Sequence, residues 1–146
     1  MEYKKKLIEV ALPLRAINEA CRKEKNPFIK GHPRSLHMYW ARRPLAAARA
    51  VLLASIIDDP SNDNSLNSED VIKKRQLIFD LIEDSIQWKN MVKTNLDPNL
   101  IQLLDDNVNG NYPTLVEPFS GGGSIPLEAQ KLGLNVNASD LNPLSV

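Results

Sequence analysis

The chain has 146 residues, 42% of them hydrophobic and 25% charged, with a formal net charge of zero. That length suits a single domain, and that composition excludes disordered, fibrous and membrane-spanning classes. One cysteine, Cys21, excludes an internal disulfide framework and a cysteine-rich zinc site within this chain, and no metal site is expected.

The first fifteen residues pair three lysines with a short apolar run. Glu9 and Arg15 interrupt that run, so it does not read as a signal peptide, and a reducing cytoplasm is the expected setting. Charge is unevenly spread. Residues 1–50 hold 12 Lys/Arg against 4 Asp/Glu, a net of +8, and residues 51–146 carry the opposite excess. A basic first third points to an anionic partner or to a solvated basic face.

Leu7 to Lys25 has helical spacing, broken or started at Pro13, with Leu14, Ile17 and Cys21 on one face. Pro27, Gly31 and Pro33 mark a loop. Residues 34–43 are dense in basic and aromatic groups. Within that stretch Arg34, His37, Trp40 and Arg42, and just before it Lys30, are candidates for nucleic-acid contact, because cations supply affinity for phosphates and flat rings stack on bases. Tyr39 could stack likewise, and Tyr39 and Trp40 equally suit core anchors. Pro44 suits the first turn of a helix to about Ile57, with Leu45, Ala48, Leu52 and Ile56 as its stripe. Residues 58–67 are a polar loop. Asn67 can cap a helix from Ser68 to about Val92 with Val71, Ile78, Ile82 and Ile86 inward. Asp97-Pro98 opens a shorter helix with Leu100, Leu103 and Leu104.

From Thr114 the period changes. Leu115 and Val116 form a short strand that enters Glu117-Pro118-Phe119-Ser120-Gly121-Gly122-Gly123. A helix from Ser124 to Leu132 follows, in which Pro126 is tolerable only in the first turn. Gly133 sits where a helix ends, and a second strand runs from Leu134 to Ala138 with Asp140 beyond it. This is a parallel crossover whose glycine turn and helix N-terminus offer free N–H groups. Asp140 lies 19 residues after Gly121, near the ~20-residue offset of a carboxylate that binds ribose hydroxyls. The third glycine of a dinucleotide fingerprint is replaced by Pro126, no lysine completes a P-loop, and no serine is flanked as in a nucleophile elbow. The division expected is a mainly helical region over 1–110 and the start of an α/β unit over 111–146.

The acidic-Pro-Phe-x-Gly-x-Gly turn, followed by helix, strand and acidic residue, resembles motif I of S-adenosylmethionine-dependent methyltransferases. Over nearly the whole chain the resemblance extends further. His32 to Ala50, Asp58-Asp59-Pro60, Leu81-Ile82-Glu83, Trp88, Glu117 to Ala129 and Ala138 to Pro143 are similar to the start of the prokaryotic adenine-specific DNA methylases, whose N-terminal region is a domain of unknown function.

The resemblance implies an α/β fold. A helical N-terminal region would precede the first β-α-β unit of a Rossmann-like methyltransferase, leaving the sheet incomplete. It implies S-adenosylmethionine as cofactor, bound by Glu117, Pro118, Phe119, Ser120, Gly121, Gly122, Gly123 and Asp140: the backbone from Phe119 to Gly123 would border its methionine part, Glu117 would act near its cationic end, and Asp140 would hold its ribose hydroxyls. Arg43 and Pro44 resemble the basic-Pro pair that opens the helix beside the cofactor. DNA would be the substrate of the full-length enzyme, with restriction-modification or phage defence as the setting. A second chain or a C-terminal part would complete the sheet. The Asn/Asp-Pro-Pro-aromatic motif that orients the adenine amine is missing, since no Pro-Pro pair occurs, so the chain is expected to carry no catalytic residues. Two other readings stay open: a nucleic-acid-binding or interaction module without activity, and a fragment of an RNA methyltransferase.

Overall fold

The computed structural model describes residues 4–33, 39, 42–93 and 95–143. The elements run α1 (Leu7–Val10), α2 (Leu14–Glu24), α3 (Leu45–Ile56), a 3-10 turn (Pro60–Asn62), α4 (Ser68–Ser85), α5 (Trp88–Met91), α6 (Pro98–Val108), β1 (Thr114–Glu117), α7 (Ser124–Lys131) and β2 (Asn135–Ala138). The fold is mixed α/β and mostly helical, with a two-stranded parallel sheet. Its register runs from Thr114 opposite Asn135 to Glu117 opposite Ala138.

Helix α3 is the axis of the molecule. It packs against α1, α2, α4, α6 and α7. The sequence Leu-Ala-Ala-Ala-Arg-Ala-Val-Leu-Leu-Ala-Ser-Ile is apolar on nearly all sides, as a helix wrapped by neighbours must be. The single stripe expected from spacing is therefore too narrow: Ala46, Ala50, Leu53 and Ala54 are buried as well. Pro44 is the N-cap of α3 and lies just outside its first turn.

The ends of the other helices follow local chemistry. Asn67 Oδ1 accepts the Asp70 N–H at 2.8 Å and Asp97 Oδ1 accepts the Asn99 N–H at 2.8 Å, two caps of the expected kind. The expected helix to Val92 instead breaks at Ile86-Gln87. The chain extends at Gln87 and restarts as α5, so that Ile86 and Met91 both reach the core. In α2 the buried residues are Ile17, Ala20 and Glu24, and Leu14 is exposed, so the inward face is rotated from the one expected.

Two polar ties close the helical layer. The segment after α3 pairs with the start of the chain: Leu7 N–H donates to Ile57 O and Asp59 N–H to Lys5 O, both at 2.9 Å. Asp59, in the expected polar loop, is buried and takes a two-pronged grip from Arg75 at 2.9 and 2.8 Å. Burial acts to raise its carboxyl, but hydrogen bonds from Arg75 and Ser61 outweigh that and leave it lowered.

Helix α7 covers one side of the sheet while β1 exposes Thr114 and Val116 on the other, Val116 to 68%. Pro126 is the third residue of α7, within the first turn as its missing N–H requires.

Candidate functional site

The turn between β1 and α7 is built from short hydrogen bonds. Phe119 N–H donates to Glu117 Oε1 at 3.1 Å, Ser120 N–H to Ser139 O at 3.0 Å, and Gly123 N–H to Ser120 O at 2.8 Å. Gly121 and Gly123 adopt φ of 50° and 72°, a region in which a side chain is strained. Gly123 is the N-cap of α7. Among the described residues, no hydrogen bond occupies the N–H groups of Gly122, Ser124 or Ile125. They are the donors that a turn-to-helix junction leaves open.

Asp140 closes the turn from the side of β2. Its Oδ2 accepts the Gly121 N–H at 2.7 Å and its Oδ1 accepts the Asn142 N–H at 2.8 Å. Those two bonds, Asn142 first, hold its carboxyl below the usual carboxylate value, against a small opposing effect of burial. Each oxygen keeps a second lone pair for a ligand hydroxyl.

The helical region supplies the facing wall. A Cβ on Gly121 would stand 3.3 Å from Tyr39 Cε1, and one on Gly122 would stand 3.3 Å from Tyr39 Cβ and 3.7 Å from Arg42 Nε. Tyr39 thus covers the turn so closely that a side chain beneath it would have to push the ring aside by a few tenths of an ångström. Tyr39, Arg43, Phe119, Ser120, Gly121, Gly122 and Asp140 border one cleft of about 400 Å³. Phe119 and Leu141 stand beside it, 72% and 91% exposed. The cleft therefore brings Arg43 and Asp140, 97 positions apart in the sequence, to a backbone with free donors.

Not every expected site residue is there. Glu117 ends β1 and its carboxylate accepts the Phe119 N–H, and Pro118 is exposed within the turn. Pro44 lines a separate hollow of about 130 Å³ with Arg42, Cys21, Glu24 and His32; Arg43 borders both. Lys30 is exposed, and its carbonyl accepts the Trp88 indole N–H at 3.2 Å. Arg34, His37 and Trp40 lie outside the described residues.

Four buried charged or titratable side chains that sequence reasoning did not single out support this site. Glu24, in the last turn of α2, accepts the Leu45 N–H at 3.0 Å and the Ala46 N–H at 3.1 Å, capping α3. His32 Nε2 reaches the same carboxylate at 2.8 Å and its ring stacks on Trp88, centroids 5.2 Å apart. Arg49 of α3, 1% exposed, donates from Nε to Oε2 of the fully buried Glu128 of α7 at 2.6 Å. The sequence signals were present. A glutamate at a helix C-terminus opposes its own dipole, and a lone arginine inside an alanine-leucine helix needs a buried partner.

Residues 11–81 match a family described as a protein of unknown function, DUF1156, and residues 92–146 match the D12 class N6 adenine-specific DNA methyltransferases. No curated protein and no solved structure matches the chain. Among the described residues, no helix is long and apolar enough to cross a membrane.

Proposed function

For a chain that joins the DUF1156 region to the D12-class region, in the order found in the adenine-specific DNA methylase family, we propose a role as the cofactor-holding part of a DNA adenine-N6 methyltransferase. The observation that carries this reading is the placement of Asp140 and Arg43 on one cleft floored by Phe119 to Gly122. S-adenosylmethionine offers ribose hydroxyls at one end and a carboxylate at the other, so it fits a cleft with an acceptor on one wall and a cation on the facing one.

In this reading Asp140 accepts from the ribose hydroxyls while the Gly121 and Asn142 N–H groups keep it ionised. Arg43 binds the methionine carboxylate, as do the open N–H groups beside it. The glycines let the backbone approach the ligand, and Phe119 and Leu141 give its adenine an apolar rim. When bound, the cofactor supplies an electrophilic methyl for the exocyclic amine of adenine in DNA. Orienting that amine takes the Asn/Asp-Pro-Pro-aromatic motif, which none of the 146 residues forms. We assign this chain half of a Rossmann-like methyltransferase site and no methyl transfer by itself.

Calorimetric titration with S-adenosylmethionine tests the reading. Asp140→Asn should weaken binding by about tenfold or more, the size of a lost charge-assisted hydrogen bond, and Arg43→Ala should do likewise. Equal affinity in wild type and Asp140→Asn would refute the assignment of Asp140. Transfer of labelled methyl to DNA by the chain alone would refute the half-site assignment.

A further inference from the structure

The two walls of the cleft belong to segments far apart in sequence, so something must fix the gap between them. We infer that Arg49 and Glu128 are positioning residues, a buried latch that sets the glycine turn against Tyr39 and Arg43. Arg49 is four residues into α3, counted from Leu45. Glu128 is four residues into α7, counted from Ser124. Four residues advance a helix by about 6 Å, so the latch sits at equal depth beneath both N-termini. The cleft lies where those N-termini meet: Arg43 precedes α3 by two residues, and Gly123 caps α7.

The latch is branched, each partner also reaching a second element. Arg49 Nε holds Glu128 Oε2 at 2.6 Å, and Arg49 Nη1 donates to Ser85 O, at the end of α4, at 3.0 Å. Lys131 Nζ donates to Glu128 Oε1 at 3.0 Å and to Met91 O, at the end of α5, at 3.2 Å. A guanidinium and a carboxylate bonded in this way have one relative geometry, whereas the alanine-rich contact around them could slide. Buried ion pairs add less to stability than shape-matched apolar groups do, and what they impose is direction. Here the direction imposed is that of α7, and with it the turn that α7 carries. The region of unknown function thereby acquires a physical role in the site: it forms one wall and locks the other.

This inference deepens the proposed cofactor reading, and its test separates the two. The double variant Arg49→Met/Glu128→Met replaces the pair with apolar groups of similar length. It should melt within a few degrees of wild type, yet the Gly121 and Gly123 amides should exchange hydrogen about tenfold faster without any ligand. Its affinity for S-adenosylmethionine should fall about tenfold. Glu128→Gln, which keeps the shape and loses the charge, should show the same changes at about threefold, and serves if the double variant does not fold. Unchanged loop exchange in a folded variant overturns the latch. A wild-type chain that ignores the cofactor while its loop exchange still responds to these substitutions keeps the latch and sinks the cofactor reading. Binding by wild type and variants alike sinks the latch alone.

Discussion

Substituting the three glycines one at a time, with and without the Tyr39 ring, tests the geometry of the site in a ligand-free protein. Gly121→Ala places a Cβ at a φ of 50°, which costs about 1–2 kcal/mol in the left-handed region. The same Cβ stands 3.3 Å from Tyr39 Cε1, the far edge of the ring, which must move by a few tenths of an ångström. That adds about 0.5–1 kcal/mol, the low end for touching residues. The total near 2 kcal/mol should lower a urea midpoint by roughly 1 M. Adding Tyr39→Ala removes the ring and should recover the second part alone. Gly122→Ala behaves differently, because its Cβ meets Tyr39 Cβ at 3.3 Å, an atom that alanine keeps; Tyr39→Ala should not rescue it. Gly123→Ala, with a φ of 72° and nothing within 4 Å, should show the strain alone in both backgrounds. Urea unfolding of the six variants measures all of this. Identical costs for Gly121→Ala with and without the ring would refute the placement of Tyr39 over the turn.

Glu24→Ala strips the cap from α3 and leaves His32 buried without its carboxylate, so it should cost about 2 kcal/mol in urea unfolding. Ile82→Ala, at a fully buried site, should cost about 2–5 kcal/mol by the same measurement. Asp59 and Asp140 both have folded-state values below the ordinary carboxylate range. Their contribution to stability is therefore complete at neutral pH and down to about pH 4, and drains as pH falls through the lowered folded values. Urea midpoints taken between pH 7 and pH 2 check the sign, and Asp59→Asn should flatten part of the acid limb.

Local chemistry was legible in the sequence, and partners far along the chain were not. Asn67, Asp97 and Pro98 announce helix starts because the group that satisfies the helix end sits within three residues of it. The glycine turn and Asp140 were legible for the same reason, since strand, turn, helix and strand follow one another without interruption. The break between α4 and α5 carries no glycine or proline, and arises because packing rewards both Ile86 and Met91. Burial of Arg49 was hidden because its partners lie 36 and 79 residues away. Placing Tyr39 over the glycines likewise depended on a contact spanning more than eighty positions.

The pair of strands has a consequence for how the molecule melts. Two short parallel strands with one bare face are not self-sustaining in water; they persist here because α7 is fastened to α3. Thermodynamically the β-α-β unit is a passenger on the helical scaffold. Residues 111–146 expressed alone should be unfolded by circular dichroism, and the whole chain should lose its sheet and its helices in a single cooperative step, wherever a family boundary is drawn along it.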